Sequence, residues 1–202
     1  MALVVITGGA RSGKSGAAQR LALTRHADGQ RVVVAVFGSA SDEEMADRIA
    51  RHRADRPAGL ETLEATSSHE WFAKVPDGAL LVVDCLGTCF GRALLEAWDE
   101  CVPAGAEMTD AADLPVGFEA ATSTRTAAVV EGLLARAGDT IVVTNEVGDG
   151  LVPDYATGRL FRDELGRANR ILTDRADAAY LAVAGRLLNL TALPRDAHWP
   201  HD

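Results

Sequence analysis

The feature that most constrains this chain is a glycine-rich octapeptide near its amino terminus, GGARSGKS at residues 8–15. It fits the pattern G-x-x-x-x-G-K-[ST], with the apolar run LVVIT before it and a stretch of helical spacing after it. Glycines let the backbone N–H groups of such a loop turn inward around a phosphate, and the helix that follows adds positive potential. The sequence therefore predicts a phosphate-binding P-loop between a strand and a helix.

Each position of this P-loop has an expected role in binding a nucleotide. The predicted cradle consists of Gly8, Gly9, Ala10, Arg11, Ser12, Gly13, Lys14 and Ser15. Lys14 can reach the β- and γ-phosphates of a nucleoside triphosphate, and the Ser15 hydroxyl can ligate Mg²⁺. We therefore expect Lys14 to be a catalytic residue. The alternative is an ordinary glycine-rich turn.

A second acidic group is expected at the end of a buried strand. Asp84 closes the apolar run ALLVVD, where its carboxylate could hold Mg²⁺ directly or through water. An aspartate that ends a strand is also a common helix N-cap. Because a P-loop is present as well, the metal role is favoured, and Ser15 and Asp84 are the predicted metal ligands.

Short apolar runs bounded by turn residues alternate with stretches of helical spacing along the chain. The predicted strands span residues 3–6, 31–36, 79–83, 140–143 and 178–183. The predicted helices span residues 14–26, 42–53, 86–98, 122–137 and 156–174. The apolar runs are rich in Val and Leu without clean alternation, which is typical of strands buried on both faces of a parallel sheet. This pattern predicts one three-layer α/β P-loop domain over residues 1–190, with a C-terminal tail over residues 191–202.

Composition and charge exclude several classes of partner. The chain of 202 residues has a formal net charge of -9, which argues against sequence-independent binding to nucleic acid because that binding requires a basic surface. No apolar run approaches the roughly 20 residues of a membrane span, and the first residues lack the pattern of a signal peptide. Three cysteines without CxxC spacing imply neither a disulfide framework nor a zinc site. We expect a soluble cytoplasmic protein with neither nucleic acid nor membrane as a partner.

One histidine lies in a strongly basic setting. Residues 41–53, SDEEMADRIARHR, begin with a capping box, and His52 follows Arg48 by one turn with Arg51 and Arg53 on either side. Neighbouring cations disfavour the imidazolium, and a neutral imidazole among guanidinium groups is suited to attack the α-phosphate of a nucleotide. On the residues alone, a solvated basic helix end that happens to include a histidine is the simpler interpretation.

Five segments, taken in order, resemble one known enzyme family. They read GGARSGKS, DEEMADRIARHRADRP, VVDCL, TNEVGDGLVP and FRDELGRAN. They are similar to segments of the bifunctional adenosylcobinamide kinase / adenosylcobinamide-phosphate guanylyltransferase family of cobalamin biosynthesis. The similarity extends from the first predicted strand to about Leu190. The histidine segment and TNEVGDGLVP are more specific signals than the P-loop, which very many families share.

The resemblance implies two reactions and further site residues. The family phosphorylates a hydroxyl of adenosylcobinamide with ATP or GTP, and it then transfers GMP from GTP through a guanylylated histidine to give adenosylcobinamide-GDP. His52 holds the position of that histidine. The residues matching the family's GTP-contact segment are Arg53, Ala54, Asp55 and Arg56. Glu64 and Asp84 match acids of the nucleotide site, and we expect Glu64 to be a buried carboxylate that accepts hydrogen bonds from guanine or ribose.

The resemblance also implies a homotrimer with a RecA-like sheet, a corrinoid substrate, and ATP, GTP and Mg²⁺ as cofactors. For most of the polar residues Arg162, Asp163, Arg167 and Asn169 of FRDELGRAN, we expect a solvated or subunit-facing helix surface. Two other functions stay open. One is a single-function P-loop small-molecule kinase in which His52 is structural, and the other is a RecA-like nucleotide-binding ATPase module that acts on nucleic acid or a partner protein.

Overall fold

The described part of the molecule is built around one mixed sheet. A computed structural model describes residues 1–38, 59–103 and 113–196, and within these ranges the backbone forms seven strands and four α-helices. The strands are β1 (Leu3–Gly8), β2 (Val32–Val36), β3 (Glu61–Glu64), β4 (Leu80–Asp84), β5 (Thr140–Val143), β6 (Ala178–Val183) and β7 (Arg186–Asn189). The helices are α1 (Lys14–Ala27), α2 (Leu86–Cys101), α3 (Phe118–Ala135) and α4 (Ala156–Arg175), and a 3-10 helix spans Glu70–Lys74.

The strands pair in the order β3-β2-β4-β5-β1-β6-β7. All of these pairings are parallel except that of β6 with β7. The interior strands β2, β4 and β5 consist almost wholly of buried residues, most of them Val or Leu. This composition is expected where helices cover both faces of a parallel sheet. The predicted α/β fold with a mainly parallel sheet is confirmed.

The helices cover the two faces of the sheet unequally. On one face, α1 packs small side chains such as Ala18 against Val34 and other residues of the interior strands. On the other face, α2, α3 and α4 bury a larger cluster that includes Phe90, Val129 and Leu165. The three layers are therefore helix, sheet and helices, as the alternating pattern predicts.

The strand order brings three sequence motifs to one edge of the sheet. The carboxyl ends of parallel strands meet at the same edge, and β5 lies directly between β4 and β1. The register pairs Val143 of β5 with Asp84 of β4 and with Ile6 of β1. The P-loop after β1, the carboxylate at the end of β4 and the TNEVG segment after β5 are therefore neighbours. Ligands of open α/β sheets bind at this edge.

Two edge strands are not predicted by the apolar pattern. β3 reads ETLE and β7 reads RLLN, and both are mostly exposed, so neither has the apolar run that marks a buried strand. β7 returns from β6 through Ala184 and Gly185, whose φ angles of 48° and 76° match a type I′ hairpin turn. One helix begins earlier than predicted. The helix predicted over residues 122–137 spans Phe118–Ala135 in the structure.

Candidate active site

The loop between β1 and α1 has a backbone that needs glycine at two positions. Gly8 and Gly13 have φ angles of 146° and 97°, a region that glycine adopts without steric cost. A side chain at Gly8 would collide with the carbonyl oxygen of Ala182, and the Cβ of a side chain at Gly13 would lie 3.3 Å from the Cα of Gly185. These two glycines of the predicted cradle therefore let the loop pass close to β6 and the turn that follows it.

Two neighbouring segments hold the cradle through backbone hydrogen bonds. The Glu146 N–H, which follows β5, donates to the Gly8 carbonyl at 3.0 Å. The Gly185 N–H, in the turn between β6 and β7, donates to the Ser12 carbonyl at 3.0 Å. The loop is thus held by the segments that directly follow β5 and β6, and a pre-formed loop loses little entropy when a ligand binds.

Lys14 is buried at the first position of α1. Its Nζ atom donates to the Gly9 carbonyl at 2.6 Å, within the loop itself. Burial lowers the pKa of Lys14, while the nearby Cys85 and Asp84 act in the opposite direction. A polyanionic phosphate in the loop would favour the charged form of the amine and offer it a stronger partner than the carbonyl.

Ser15 and Asp84 are in direct contact across the edge of the sheet. The Ser15 hydroxyl donates to Asp84 Oδ1, with 3.0 Å between the two oxygens. The residue at the N-cap of α2 is Cys85, so the alternative interpretation of Asp84 as a helix cap is wrong. The carboxylate instead faces the first turn of α1, where the P-loop ends.

The Ser15 and Asp84 oxygens fit the requirements of Mg²⁺. Among the described residues there is no group of three or more His, Cys, Asp or Glu that could hold a metal. Mg²⁺, however, is usually bound through one or two protein side chains, with waters and substrate phosphates completing an octahedron at about 2.1 Å. Adjacent oxygens of that octahedron are about 3 Å apart, and this matches the 3.0 Å between Ser15 Oγ and Asp84 Oδ1.

Two buried hydroxyl oxygens beside the cradle lack a hydrogen-bond partner within the described part of the chain. They are Thr7 Oγ1, just before Gly8, and Ser12 Oγ, inside the loop. An unpaired buried hydroxyl costs about 1–3 kcal/mol. A phosphate oxygen in the loop would supply a partner for Ser12, which favours a binding loop over an ordinary glycine-rich turn.

Helix α4 fixes the segment after β5, a contact that the sequence pattern does not predict. Asn169 is buried, although we expected a solvated or subunit-facing surface there. Its Oδ1 accepts from Thr144 Oγ1 at 2.6 Å, and its Nδ2 donates to the Asn145 carbonyl at 2.9 Å. About two turns earlier in α4 than Asn169, Arg162 donates to the Gly148 carbonyl of the same segment.

The signal for a buried Asn169 is present in the sequence. Leu165, Asn169 and Leu172 recur at positions i, i+4 and i+7, and all three lie on the buried side of α4. This spacing defines one face of a helix. A polar residue on an apolar face needs a partner inside the protein, and here the partners are backbone and hydroxyl groups of residues 144 and 145.

Glu64 is exposed, and the expectation of a buried carboxylate is wrong. It ends β3, the edge strand of the sheet, where three of the four residues of ETLE are exposed. The register pairs Glu64 with Val36 of β2. Glu64 therefore lies at the carboxyl edge of the sheet, as the cradle does, but three strands lie between β3 and β1.

The histidine segment and the predicted helix that contains it lie outside the described residues. The same holds for the predicted GTP-contact residues Arg53, Ala54, Asp55 and Arg56. The roles of His52 and of these four residues stay predictions.

Within the three described ranges of the chain, no helix is long and apolar enough to cross a membrane.

Comparison with known proteins identifies relatives over nearly the whole chain. A family model described as cobinamide kinase / cobinamide phosphate guanyltransferase matches residues 4–190. The bifunctional adenosylcobalamin biosynthesis protein CobU of Salmonella typhimurium is 34% identical over 194 residues, which cover 91% of this chain and 96% of that protein. CobU of Escherichia coli is 30% identical over 185 residues, which cover 91% of this chain and 96% of that protein. The bifunctional protein CobP of Pseudomonas aeruginosa is 34% identical over 196 residues, which cover 94% of this chain and 98% of that protein.

Proposed function

The chain belongs to the cobinamide kinase / cobinamide phosphate guanyltransferase family, and from this premise we propose that it carries out two successive reactions on adenosylcobinamide. The first transfers the γ-phosphoryl group of ATP or GTP to a hydroxyl of adenosylcobinamide. The second transfers GMP from GTP to the new phosphate and gives adenosylcobinamide-GDP. The observation that carries the proposal is the contact between Ser15 and Asp84 beside a pre-formed phosphate loop.

In the kinase step, the acceptor oxygen bonds to the γ-phosphorus while the bond from that phosphorus to the β-phosphate oxygen breaks. The nucleoside diphosphate leaves with the electron pair, and the hydroxyl proton passes to water. Backbone N–H groups of the loop bind the phosphates, and Lys14 exchanges the Gly9 carbonyl for a phosphate oxygen. Positioning and charge neutralisation of this kind supply most of the catalysis in phosphoryl transfer.

Ser15 and Asp84 are the residues that would hold Mg²⁺ at this site, because their oxygens form a compact pair at the mouth of the loop. When bound, the ion neutralises charge on the β- and γ-phosphates. The side chains keep their positions through the fold, since Ser15 lies in the first turn of α1 and Asp84 ends a strand paired on both sides.

For the second reaction we assign the nucleophile to His52. A neutral imidazole nitrogen bonds to the α-phosphorus of GTP as the bond from that phosphorus to the β-phosphate oxygen breaks, and pyrophosphate leaves. An oxygen of adenosylcobinamide-phosphate then bonds to the same phosphorus and releases the histidine. The support is the R-x-x-RHR-x-x-RP segment, which falls inside the matched range 4–190. We assign GTP binding in the same segment to Arg53, Ala54, Asp55 and Arg56.

We assign Glu64 to the guanine or ribose of GTP. A carboxylate can accept hydrogen bonds from guanine N–H groups or from ribose hydroxyls. Glu64 is exposed at the carboxyl end of β3, at the same edge of the sheet as the cradle. Because it is accessible to water, we expect its contribution to GTP binding to be modest.

The family resemblance also supports proposals on assembly, location and domain extent. We propose a homotrimer in the cytoplasm, with residues 1–190 as the catalytic domain, residues 191–202 as a tail and a corrinoid as the substrate partner. The free thiols of Cys85, Cys89 and Cys101 are consistent with a reducing compartment. The net charge of -9 lends no support to a nucleic-acid partner. Light scattering on the purified protein would test the trimer.

The proposed function is tested by following two differently placed labels. With γ-labelled ATP, the enzyme should form labelled adenosylcobinamide-phosphate only when adenosylcobinamide is present. With α-labelled GTP alone, the protein itself should become labelled, and the adduct should be acid-labile and base-stable, as expected for a P–N bond. Labelled adenosylcobinamide-phosphate without a labelled protein adduct would show that the enzyme is a single-function kinase. Nucleotide turnover that does not depend on adenosylcobinamide would favour an ATPase module.

A further inference from the structure

Asn145 lies between the two halves of the proposed kinase site. It is the second residue after β5, the strand flanked by β4, which ends at Asp84, and by β1, which leads into the P-loop. The register aligns Val143, two residues earlier, with Asp84 on one side and with Ile6 on the other. Residue 145 therefore lies at the carboxyl edge of the sheet, in a segment between the strand end that carries Asp84 and the strand that leads into the cradle.

The backbone around Asn145 is held from two directions. Towards β1, the N–H groups of Thr144 and Glu146 each donate to a carbonyl of β1, at 3.0 Å. Towards α4, Asn169 Nδ2 donates to the Asn145 carbonyl at 2.9 Å, and the Thr144 hydroxyl donates to Asn169 Oδ1 at 2.6 Å. The side chain of Asn169 is shielded from water, since the residue is only 6% exposed.

The side chain of Asn145 packs against the first turn of α2. A Cβ atom at Gly87 would lie 3.2 Å from Asn145 Oδ1, which is tighter than ordinary contact. Gly87 is three residues after Asp84. The absence of a side chain at position 87 therefore leaves room for the Asn145 amide close to the strand end that carries the metal-binding carboxylate.

We propose that Asn145 is a further catalytic residue of the kinase step, whose side-chain amide donates a hydrogen bond to the phosphoryl group in transfer. Asn169 is the positioning residue that holds it. This inference rests on the proposed function. The bonds formed and broken in the kinase step stay the same. During transfer, negative charge is spread over the equatorial phosphoryl oxygens, and a fixed neutral donor stabilises that charge while it keeps its own proton.

The first test is Asn145→Ala, measured by steady-state phosphorylation of adenosylcobinamide with γ-labelled ATP. We expect kcat to fall about 10²-fold, as for the loss of one pre-organised donor to a transition state, while KM for ATP changes little. Asn189→Ala is the matched control, because Asn189 is an exposed residue of β7 whose side chain accepts a hydrogen bond from the nearby Thr191. A wild-type kcat in Asn145→Ala would overturn the proposal.

A double-mutant cycle tests the positioning role of Asn169. Asn169→Ala removes both bonds to residues 144 and 145, so kcat should fall even where ATP binding is retained. If Asn169 acts through Asn145, the double variant should be no slower than Asn145→Ala alone, and multiplied losses would overturn the positioning role. Should Asn169→Ala not fold, Gly87→Ala displaces the amide from the other side and should lower kcat while leaving KM for ATP little changed.

The outcome for the inference can be told apart from the outcome for the proposed function. A wild-type enzyme that does not phosphorylate adenosylcobinamide would overturn the proposed function. A wild-type enzyme that does so, together with Asn145→Ala and Gly87→Ala variants of undiminished kcat, would overturn only the role of Asn145.

Discussion

The phosphate cradle and the edge strand β3 both carry residues assigned to nucleotide binding, but their environments differ. In the cradle, Lys14 is buried and bonded to the Gly9 carbonyl, and Ser15 is bonded to Asp84. On β3, Glu64 is exposed at the end of a strand that pairs with β2 alone within the described residues.

The difference follows from the positions of the strands in the sheet. β1, β4 and β5 are each paired on both sides, so backbone hydrogen bonds fix the strand end that carries Asp84 and the strand end that leads into the cradle. Groups that are already in place lose little entropy on binding, whereas an exposed carboxylate must exchange water for its ligand. We therefore expect substitutions in the cradle to reduce activity far more than a substitution of Glu64.

The largest effect is expected for Lys14→Ala. This change removes the cation that neutralises charge on the transferred phosphoryl group, and kcat for phosphorylation of adenosylcobinamide should fall about 10³-fold. Lys74→Ala is the matched control, since Lys74 is the other lysine of the chain and is exposed at the end of the 3-10 helix. Near-normal turnover in Lys14→Ala would show that the cradle is not the kinase site.

A smaller loss is expected for Asp84→Asn. The amide keeps the shape of the side chain but removes the charge, so the kinase should be slower by roughly 10–100-fold and should require more Mg²⁺ for half-maximal rate. Asp99→Asn, at an exposed position of α2, provides a control with the same chemical change. An unchanged Mg²⁺ requirement in Asp84→Asn would rule out the assignment of this carboxylate to the metal.

A still smaller effect is expected for Glu64→Gln. Loss of one exposed charge-assisted contact is worth about 1 kcal/mol, which raises KM for GTP in adduct formation roughly fivefold. Phosphorylation with ATP should be unaffected. Glu61→Gln is the control, because Glu61 is also exposed but lies at the opposite, amino end of β3. A loss as large as that of Lys14→Ala would contradict the contrast between cradle and edge strand.

The smallest effect on activity is expected far from the cradle, at Asp139 before the amino end of β5. Its hydrogen bond from Arg25, followed by one from the Ala2 N–H, lowers its pKa to about 2. Because the folded pKa lies below the unfolded value, the ionised carboxylate stabilises the fold above about pH 4. That contribution is lost as the pH falls towards 2.

Urea denaturation of Asp139→Asn checks this prediction. At pH 7 the variant should lose about 1–2 kcal/mol of unfolding free energy, and at pH 3 the difference from the wild type should be smaller. The kinase kcat at pH 7 should not change. A stability loss that is independent of pH would show that the charge of Asp139 is not its cause.

The parts of the fold and of the candidate site that could be predicted from sequence are those marked by local motifs or by apolar runs. The strands 140–143 and 178–183 have the bounds that their apolar runs predict. The cradle was predictable because its functional groups lie within eight consecutive residues, whose glycines and lysine define the loop.

The remaining features depend on which segments become neighbours. The exposure of Glu64 follows from the edge position of β3. A motif match identifies the position of a residue in the chain, but it does not say whether the side chain is buried or exposed to solvent. The bonds of Asn169 to residues 144 and 145 join segments more than twenty residues apart. The polar residue on the apolar face of α4 was a sign of such a contact, but its partners follow only from the strand order.

The central claim is that one chain transfers a phosphoryl group directly and GMP through His52. The most direct measurement exposes His52→Ala to α-labelled GTP with and without adenosylcobinamide-phosphate and, separately, to γ-labelled ATP with adenosylcobinamide. His69→Ala is the control because His69 is exposed. The account predicts that His52→Ala forms neither the protein adduct nor adenosylcobinamide-GDP but still phosphorylates adenosylcobinamide, while His69→Ala does all three. A His52→Ala enzyme that still becomes labelled from α-labelled GTP would contradict it.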